Sequence, residues 1–120
     1  MNDPIQHFSD KLAYETDPYD LHEDLRKGER IVVIDARSRA AYEAEHIPGA
    51  VSLPHREMNA ETTRSFGTDT LYVTYCDGIG CNASTKGALN MSRLGFRVKE
   101  LIGGLEWWKR DGYETEGTKT

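Results

Sequence analysis

Residues 71–84 read Leu71-Tyr72-Val73-Thr74-Tyr75-Cys76-Asp77-Gly78-Ile79-Gly80-Cys81-Asn82-Ala83-Ser84. The first five are β-branched or aromatic in the main and predict a buried strand. That strand runs directly into Cys76. A loop with Gly78 and Gly80 follows, and Ser84 reads as the cap of a helix with Ala88, Met91 and Leu94 facing inward and Gly95 as its stop. A strand, a glycine loop and a helix start in direct succession form half of a βαβ unit. Loop amides in such a unit turn inward and cradle an anion. The positive end of the following helix adds to their field.

Upstream, Ile31-Val32-Val33-Ile34 predicts a second central strand, ending at Asp35-Ala36-Arg37. Ser38 caps a helix that runs to Glu45 and anchors through Tyr42. His46-Ile47-Pro48-Gly49 makes a turn, and residues 50–53 make a short strand stopped by Pro54. Residues 55–67 read as a short helix plus loop. Earlier still, Thr16-Asp17-Pro18 starts a helix bearing Leu21 and Leu25, with Gly28 as its stop. The first ten residues read as a loose arm, and residues 12–14 as an edge strand. Downstream, residues 98–101 form a strand, Gly103-Gly104 turns the chain, and Leu105, Trp107 and Trp108 open a last helix. One tryptophan belongs to the core and the other lies half exposed or walls a pocket. Residues after Tyr113 read as a frayed tail. The alternation predicts an α/β fold with parallel strands, whose ends place Asp35 and Cys76 near one edge.

Composition narrows the function. With 120 residues the chain suits one compact domain. Its two cysteines permit at most one internal disulfide and no four-cysteine zinc site. The histidines, at 7, 22, 46 and 55, match no zinc spacing, so no metal is expected. A formal charge of -5 gives no general affinity for nucleic acid or anionic membrane. No apolar run approaches the roughly 20 residues of a membrane span. The opening Met1-Asn2-Asp3-Pro4 is not a basic segment followed by an apolar one, and a reducing cytoplasm is the expected location.

Cys76 is the leading nucleophile, because loop amides and a helix N-terminus both stabilise a thiolate. Cys81 has three readings. It lines the cradle, it attacks an oxidised Cys76 to form a disulfide, or it is itself the nucleophile. A disulfide requires the loop to bring the two Cα atoms within about 7 Å. Asp35 and Arg37 read as a structural pair that anchors loops by charge-assisted hydrogen bonds. His46 caps a helix or holds a loop. Gly78 and Gly80 serve loop shape. Lys86 either lends positive potential to the pocket or is a solvated surface lysine. No Ser-His-Asp triad is evident around Ser84.

Three motifs together carry a family resemblance. The first is Val33-Ile34-Asp35-Ala36-Arg37, then Tyr42 and Glu45-His46-Ile47-Pro48-Gly49-Ala50-Val51 with Pro54. The second is Val73-Thr74-Tyr75-Cys76 with Ser84, Ala88, Leu94 and Gly95. The third is Val98-Lys99-Glu100-Leu101-Ile102-Gly103-Gly104 with Trp107 or Trp108 and Gly112-Tyr113. In this order the chain resembles single-domain rhodanese-like sulfurtransferases over about residues 8–114, leaving 1–7 and 115–120 as flexible termini.

The resemblance implies a roughly five-stranded, mostly parallel sheet flanked by helices. Cys76 matches the family cysteine that takes sulfane sulfur from thiosulfate or another persulfide and passes it to cyanide or a thiol, including a protein thiol. Asp77, Gly78, Ile79, Gly80, Asn82, Ala83 and Ser84 would form the substrate-binding loop. Asp35, Arg37 and His46 match supporting positions. Two departures stand out. The family's helix-starting serine or threonine lies six residues after the cysteine, whereas Ser84 lies eight after, implying a longer loop. Asp77 also stands where a cation is common, which weakens the case for the thiosulfate dianion as donor. A related phosphatase class needs an arginine at the position of Asn82, so phosphatase chemistry is not expected. The alternative is a weakly active or non-catalytic module for redox sensing or protein interaction.

Overall fold

The computed structural model describes residues 3–119. Five strands form one sheet: β1 Glu15–Thr16, β2 Ile31–Asp35, β3 Val51–Ser52, β4 Leu71–Tyr75 and β5 Arg97–Leu101. The spatial order is β1-β5-β4-β2-β3, and every pairing is parallel. Five helices connect or flank them: α1 Pro4–Tyr14, α2 Pro18–Arg26, α3 Arg39–Ala44, α4 Ala83–Arg93 and α5 Gly104–Arg110. A 3-10 turn covers His55–Glu57. This is the expected rhodanese-like arrangement, with five parallel strands between helical layers.

Alternation along the strands divides the core between the two faces. Val33, Val73 and Tyr75 point to one face, where Leu21, Ile47, Leu101, Leu105 and Trp108 cover them. Ile34 and Tyr72 point to the other, against Ala36, Leu53, Met58 and Met91. The register sets Val33 beside Val73 and Asp35 beside Tyr75. The strongest strands therefore end together, and the amide of Ala36 donates to the carbonyl of Tyr75 at 3.0 Å just beyond them. Gly87 lets α4 lie close, since a Cβ there would sit 3.2 Å from the Cβ of Ala36.

Several sequence expectations hold. Asp17 caps α2 with Pro18 in the first turn, and Ser38 caps α3. Trp108 is core and Trp107 is half-buried.

Three expectations fail. The supposed arm and the edge strand over 12–14 are one helix, α1, capped by Asp3; Met1 and Asn2 lie outside the described residues. The helix buries none of its residues, so it leaves no core-facing pattern to read. The edge strand is instead Glu15–Thr16, paired with β5. The supposed frayed tail returns along α3. Glu116 and His46 exchange backbone hydrogen bonds, and the amides of Thr118 and Lys119 donate to the carbonyls of Glu43 and Ala44. Thr120 lies outside the described residues.

Candidate active site

Cys76 stands at the C-terminal end of β4, in the middle of the sheet, with 1% of its surface exposed. Its backbone is clamped from below by α5. The amide of Leu105 donates to the Cys76 carbonyl at 2.9 Å, and that of Glu106 to the Asp77 carbonyl at 2.8 Å. This contact needs glycine at 104. Its φ is +56°, and a Cβ there would overlap the Cys76 carbonyl oxygen. Gly103 is equally constrained, with φ +79° and the Trp107 ring packed against its Cα.

Cys76 and Cys81 form a disulfide, with Cα atoms 6.3 Å apart. The loop thus brings the two Cα atoms within the distance a bridge requires. Cys81 is partly exposed, while Ile79 and Gly80 project into solvent. Gly78 and Gly80 do not supply a left-handed loop shape, because neither has positive φ. Gly78 lies under Glu106, where a Cβ would sit 3.4 Å from the Glu106 Cβ, and Gly80 faces open space.

Helix α4 begins at Ala83 with Asn82 at its N-cap position. The N-cap position therefore lies six residues after Cys76, and the longer loop inferred from Ser84 does not exist. Ser84 is not the cap. It is 4% exposed, and its hydroxyl donates to Glu100 Oε2 at 2.7 Å. Thr85 donates to the same oxygen at 2.6 Å. The Thr74 hydroxyl donates to the Ser84 carbonyl at 2.9 Å. These bonds pin the start of α4 onto β4 and β5. Asn82 makes no side-chain cap bond, so the first amides of α4 keep their donor capacity toward the loop.

Asp35 and Arg37 form a buried ion pair at the end of β2. Arg37 Nε donates to Asp35 Oδ1 at 2.9 Å and Nη2 to Oδ2 at 2.6 Å. Tyr75 donates its hydroxyl to Asp35 Oδ2 at 2.9 Å and accepts the Ile47 amide at 3.1 Å. Arg37 Nη2 also donates to the Glu45 carbonyl, at 2.6 Å. Its Nη1 reaches Asp77 Oδ1 at 2.7 Å, so the acidic residue of the loop is neutralised by Arg37. Burial opposes the Arg37 charge, but the hydrogen bonds to Asp35 and Asp77 outweigh it and hold the pKa above its ordinary value. Burial is also the main cause that raises the Tyr75 phenol, with the Asp35 charge behind it.

His46 stays outside the loop. It stacks on Tyr42, and Nδ1 donates to the Tyr42 carbonyl at 2.6 Å. It supports α3, whose C-cap residue Glu45 accepts from Arg37 through its carbonyl.

Two cavities flank the disulfide, and Cys81 lines both. One, of about 540 Å³, lies between the loop, the first turn of α4 and residues 100–103. Its charged side chains are the carboxylates of Glu15 and Glu100. The other, of about 620 Å³, lies between Asp77, Cys81 and Ala83 on one side and residues 36–39 and 54–57 on the other. Arg37, Arg39, Arg56 and His55 line it, against Glu57 and Asp77. Burial lowers the His55 pKa, and the Lys86 and Arg56 charges lower it further. Lys86 is exposed and lines neither cavity. Arg37 is paired with Asp35 and Asp77, and Arg39 with Glu57, which leaves Arg56 as the unpaired guanidinium of this cavity among the described residues. Sequence reasoning missed Arg39, His55, Arg56, Glu100 and Gly104. Only Gly104 left a signal, as half of a Gly-Gly pair.

No helix among the described residues is long and apolar enough to cross a membrane. The described residues hold no His, Cys, Asp and Glu cluster of metal-site size.

Comparison with known proteins agrees with this fold. Residues 17–111 match the model of the rhodanese-like domain family. The chain is similar to the HTH-type transcriptional regulator Rv0324 of Mycobacterium tuberculosis, with 30% identity over 106 residues. That match takes in 87% of this chain and 46% of the regulator, so the chain spans about half its length. Among solved structures, the BH2092 protein of Bacillus halodurans superposes with a TM-score of 0.91 and 47% identity, over 95% of this chain and 84% of that one. The rhodanese-like domain of the Alr3790 protein of Anabaena gives 0.77 and 29%, over 87% of this chain and 79% of that one.

Proposed function

The chain belongs to the rhodanese-like domain family, and from that premise we propose that it is a sulfurtransferase carrying sulfane sulfur on Cys76. The observation that carries this reading is the position of Cys76, at the end of the central strand and before the uncapped N-terminus of α4. Amides at such a junction stabilise a thiolate and then an anionic persulfide.

The bridge must first be reduced. The Cys76 thiolate then attacks the outer sulfur of an anionic donor such as thiosulfate. A bond forms between Cys76 Sγ and that sulfur, and sulfite leaves with the electron pair of the broken bond. An acceptor thiolate next attacks the outer sulfur and takes it, and the Cys76 thiolate departs. The acceptor is a small thiol, a protein thiol or cyanide. The cavity that holds Arg56 suits donor entry, because that guanidinium attracts an anion and the carboxylates of the opposite cavity repel one. A reducing cytoplasm suits a reaction that needs both cysteines as thiols. No metal or organic cofactor takes part in these steps.

The test is single-turnover sulfite release from thiosulfate by the fully reduced Cys81→Ser protein. One sulfite per chain is expected, and none from Cys76→Ser. Release from Cys76→Ser but not from Cys81→Ser would move the nucleophile to Cys81.

The Cys76–Cys81 bridge favours one second reading, a thiol-redox sensing module. The similarity to a transcriptional regulator points the same way. On that reading neither variant releases sulfite, and mild oxidation of the reduced wild type only removes two hydrogens.

A further inference from the structure

We infer that Cys81 is a resolving thiol that discharges the Cys76 persulfide as hydrosulfide. The step rests on Cys76 as the sulfur carrier and adds an activity to it: reductive release of sulfide, with a dithiol as the electron source.

Three features support the assignment. The first is the bridge itself, which is the product such a step leaves. The chain closes it without any non-glycine residue in a positive-φ conformation.

The second is the difference in exposure. Cys76 is 1% exposed, whereas Cys81 is partly exposed and lines both flanking cavities. A thiolate entering from either side meets Cys81 before Cys76. A thiol built into so short a loop also acts at an effective concentration of about millimolar or higher. External acceptors must compete with it.

The third is the difference in anchoring. The carbonyls of Cys76 and Asp77 are held by the amides of Leu105 and Glu106. The Cys81 amide makes one turn bond, to the Gly78 carbonyl at 3.2 Å, and Gly80 beside it faces open space. Cys81 is the partner with room to step aside for a donor and return.

The chemistry balances. The Cys81 thiol gives up its proton, and the thiolate attacks the inner sulfur, Cys76 Sγ. A bond forms between the two Sγ atoms, and the bond from Cys76 Sγ to the outer sulfur breaks. The outer sulfur leaves with that electron pair and the proton as hydrosulfide. Two thiol sulfurs have been oxidised to a disulfide and the sulfane sulfur has been reduced. An external dithiol then exchanges with the bridge, becomes a disulfide itself and restores both thiols. Its first contact is the exposed sulfur, Cys81.

The experiment uses the fully reduced intact chain, freed of reductant, with thiosulfate as donor. Hydrosulfide and intact mass are followed together. Wild type is expected to release one hydrosulfide per chain and finish two hydrogens lighter. Cys81→Ser and Cys81→Ala are expected to keep the mass of one extra sulfur and to release hydrosulfide at least roughly tenfold more slowly. If wild type holds its extra sulfur as long as both variants do, the resolving role is overturned and Cys76 remains a carrier. If the variants release hydrosulfide as fast as wild type, the role is likewise overturned. If no protein takes up sulfur, the carrier reading itself fails and the inference falls with it.

Discussion

Gly104 lies directly against the carbonyl oxygen of Cys76, too close for any Cβ to fit between them. The start of α5 is thereby the floor of the cysteine loop, and two amides of that helix fix the loop's first two carbonyls. Gly104→Ala therefore faces both a clash with backbone and a left-handed φ. It should destabilise the fold by about 2–4 kcal/mol in urea unfolding. Gly80→Ala, with nothing nearby and ordinary φ, should stay within about 0.5 kcal/mol of wild type. Equal effects at both positions would contradict the assigned floor.

The Asp35–Arg37 pair is buried, and each partner meets further polar groups. Removing one partner leaves the other charge buried. Asp35→Ala or Arg37→Ala should cost about 3–5 kcal/mol by denaturant unfolding. Asp77→Ala removes only the exposed end of the network and should cost no more than about 1 kcal/mol. A loss at Asp77 as large as that at Asp35 would contradict this ranking.

The strand–loop–helix around Cys76 was readable because β-branched runs and glycines act locally. Asp17-Pro18 and Ser38 announced their helices for the same reason. What was not readable depended on distant partners. Ser84 has the residue type of a cap, but Glu100 takes its hydroxyl and Asn82 occupies the cap position. The tail is held by main-chain bonds to α3, which leave no side-chain pattern. Helix α1 carried the same Asp-Pro start as α2, yet Ile5, Phe8 and Leu12 remain exposed, so its periodicity pointed to no core. The cavity that holds Arg56 assembles residues from after β2 and after β3, and no single motif contains it. The two cysteines were in view throughout, but their spacing alone permitted either thiols or a bridge.

His55 has its pKa lowered first by burial, then by Lys86 and Arg56. The folded state therefore binds its proton less readily than the unfolded chain does. Stability from this site is intact above the ordinary histidine value near about 6.5 and is lost as pH falls through the lower folded value. An NMR titration should place His55 below a free histidine, and Lys86→Gln should move its midpoint upward. An unmoved midpoint would remove Lys86 from the field at this cavity.

Charge reversal should separate the two cavities functionally. Arg56→Glu is expected to lower kcat/KM for thiosulfate by roughly 3- to 10-fold at low salt, with the difference shrinking as salt rises. Glu15→Gln, on the other cavity, should leave it constant or raise it slightly. The reverse ranking would put donor entry on the Glu100 side.

Mapping one transferred sulfur atom tests the central claim most directly. Reduced Cys81→Ser and Cys76→Ser proteins are exposed briefly to thiosulfate, and the peptides are sequenced by mass spectrometry under non-reducing conditions. The expected result is the mass of one sulfur on Cys76 in the first protein and no sulfur adduct in the second. Sulfur on Cys81 in the second protein with none on Cys76 in the first, or on neither cysteine, would contradict Cys76 as the carrier.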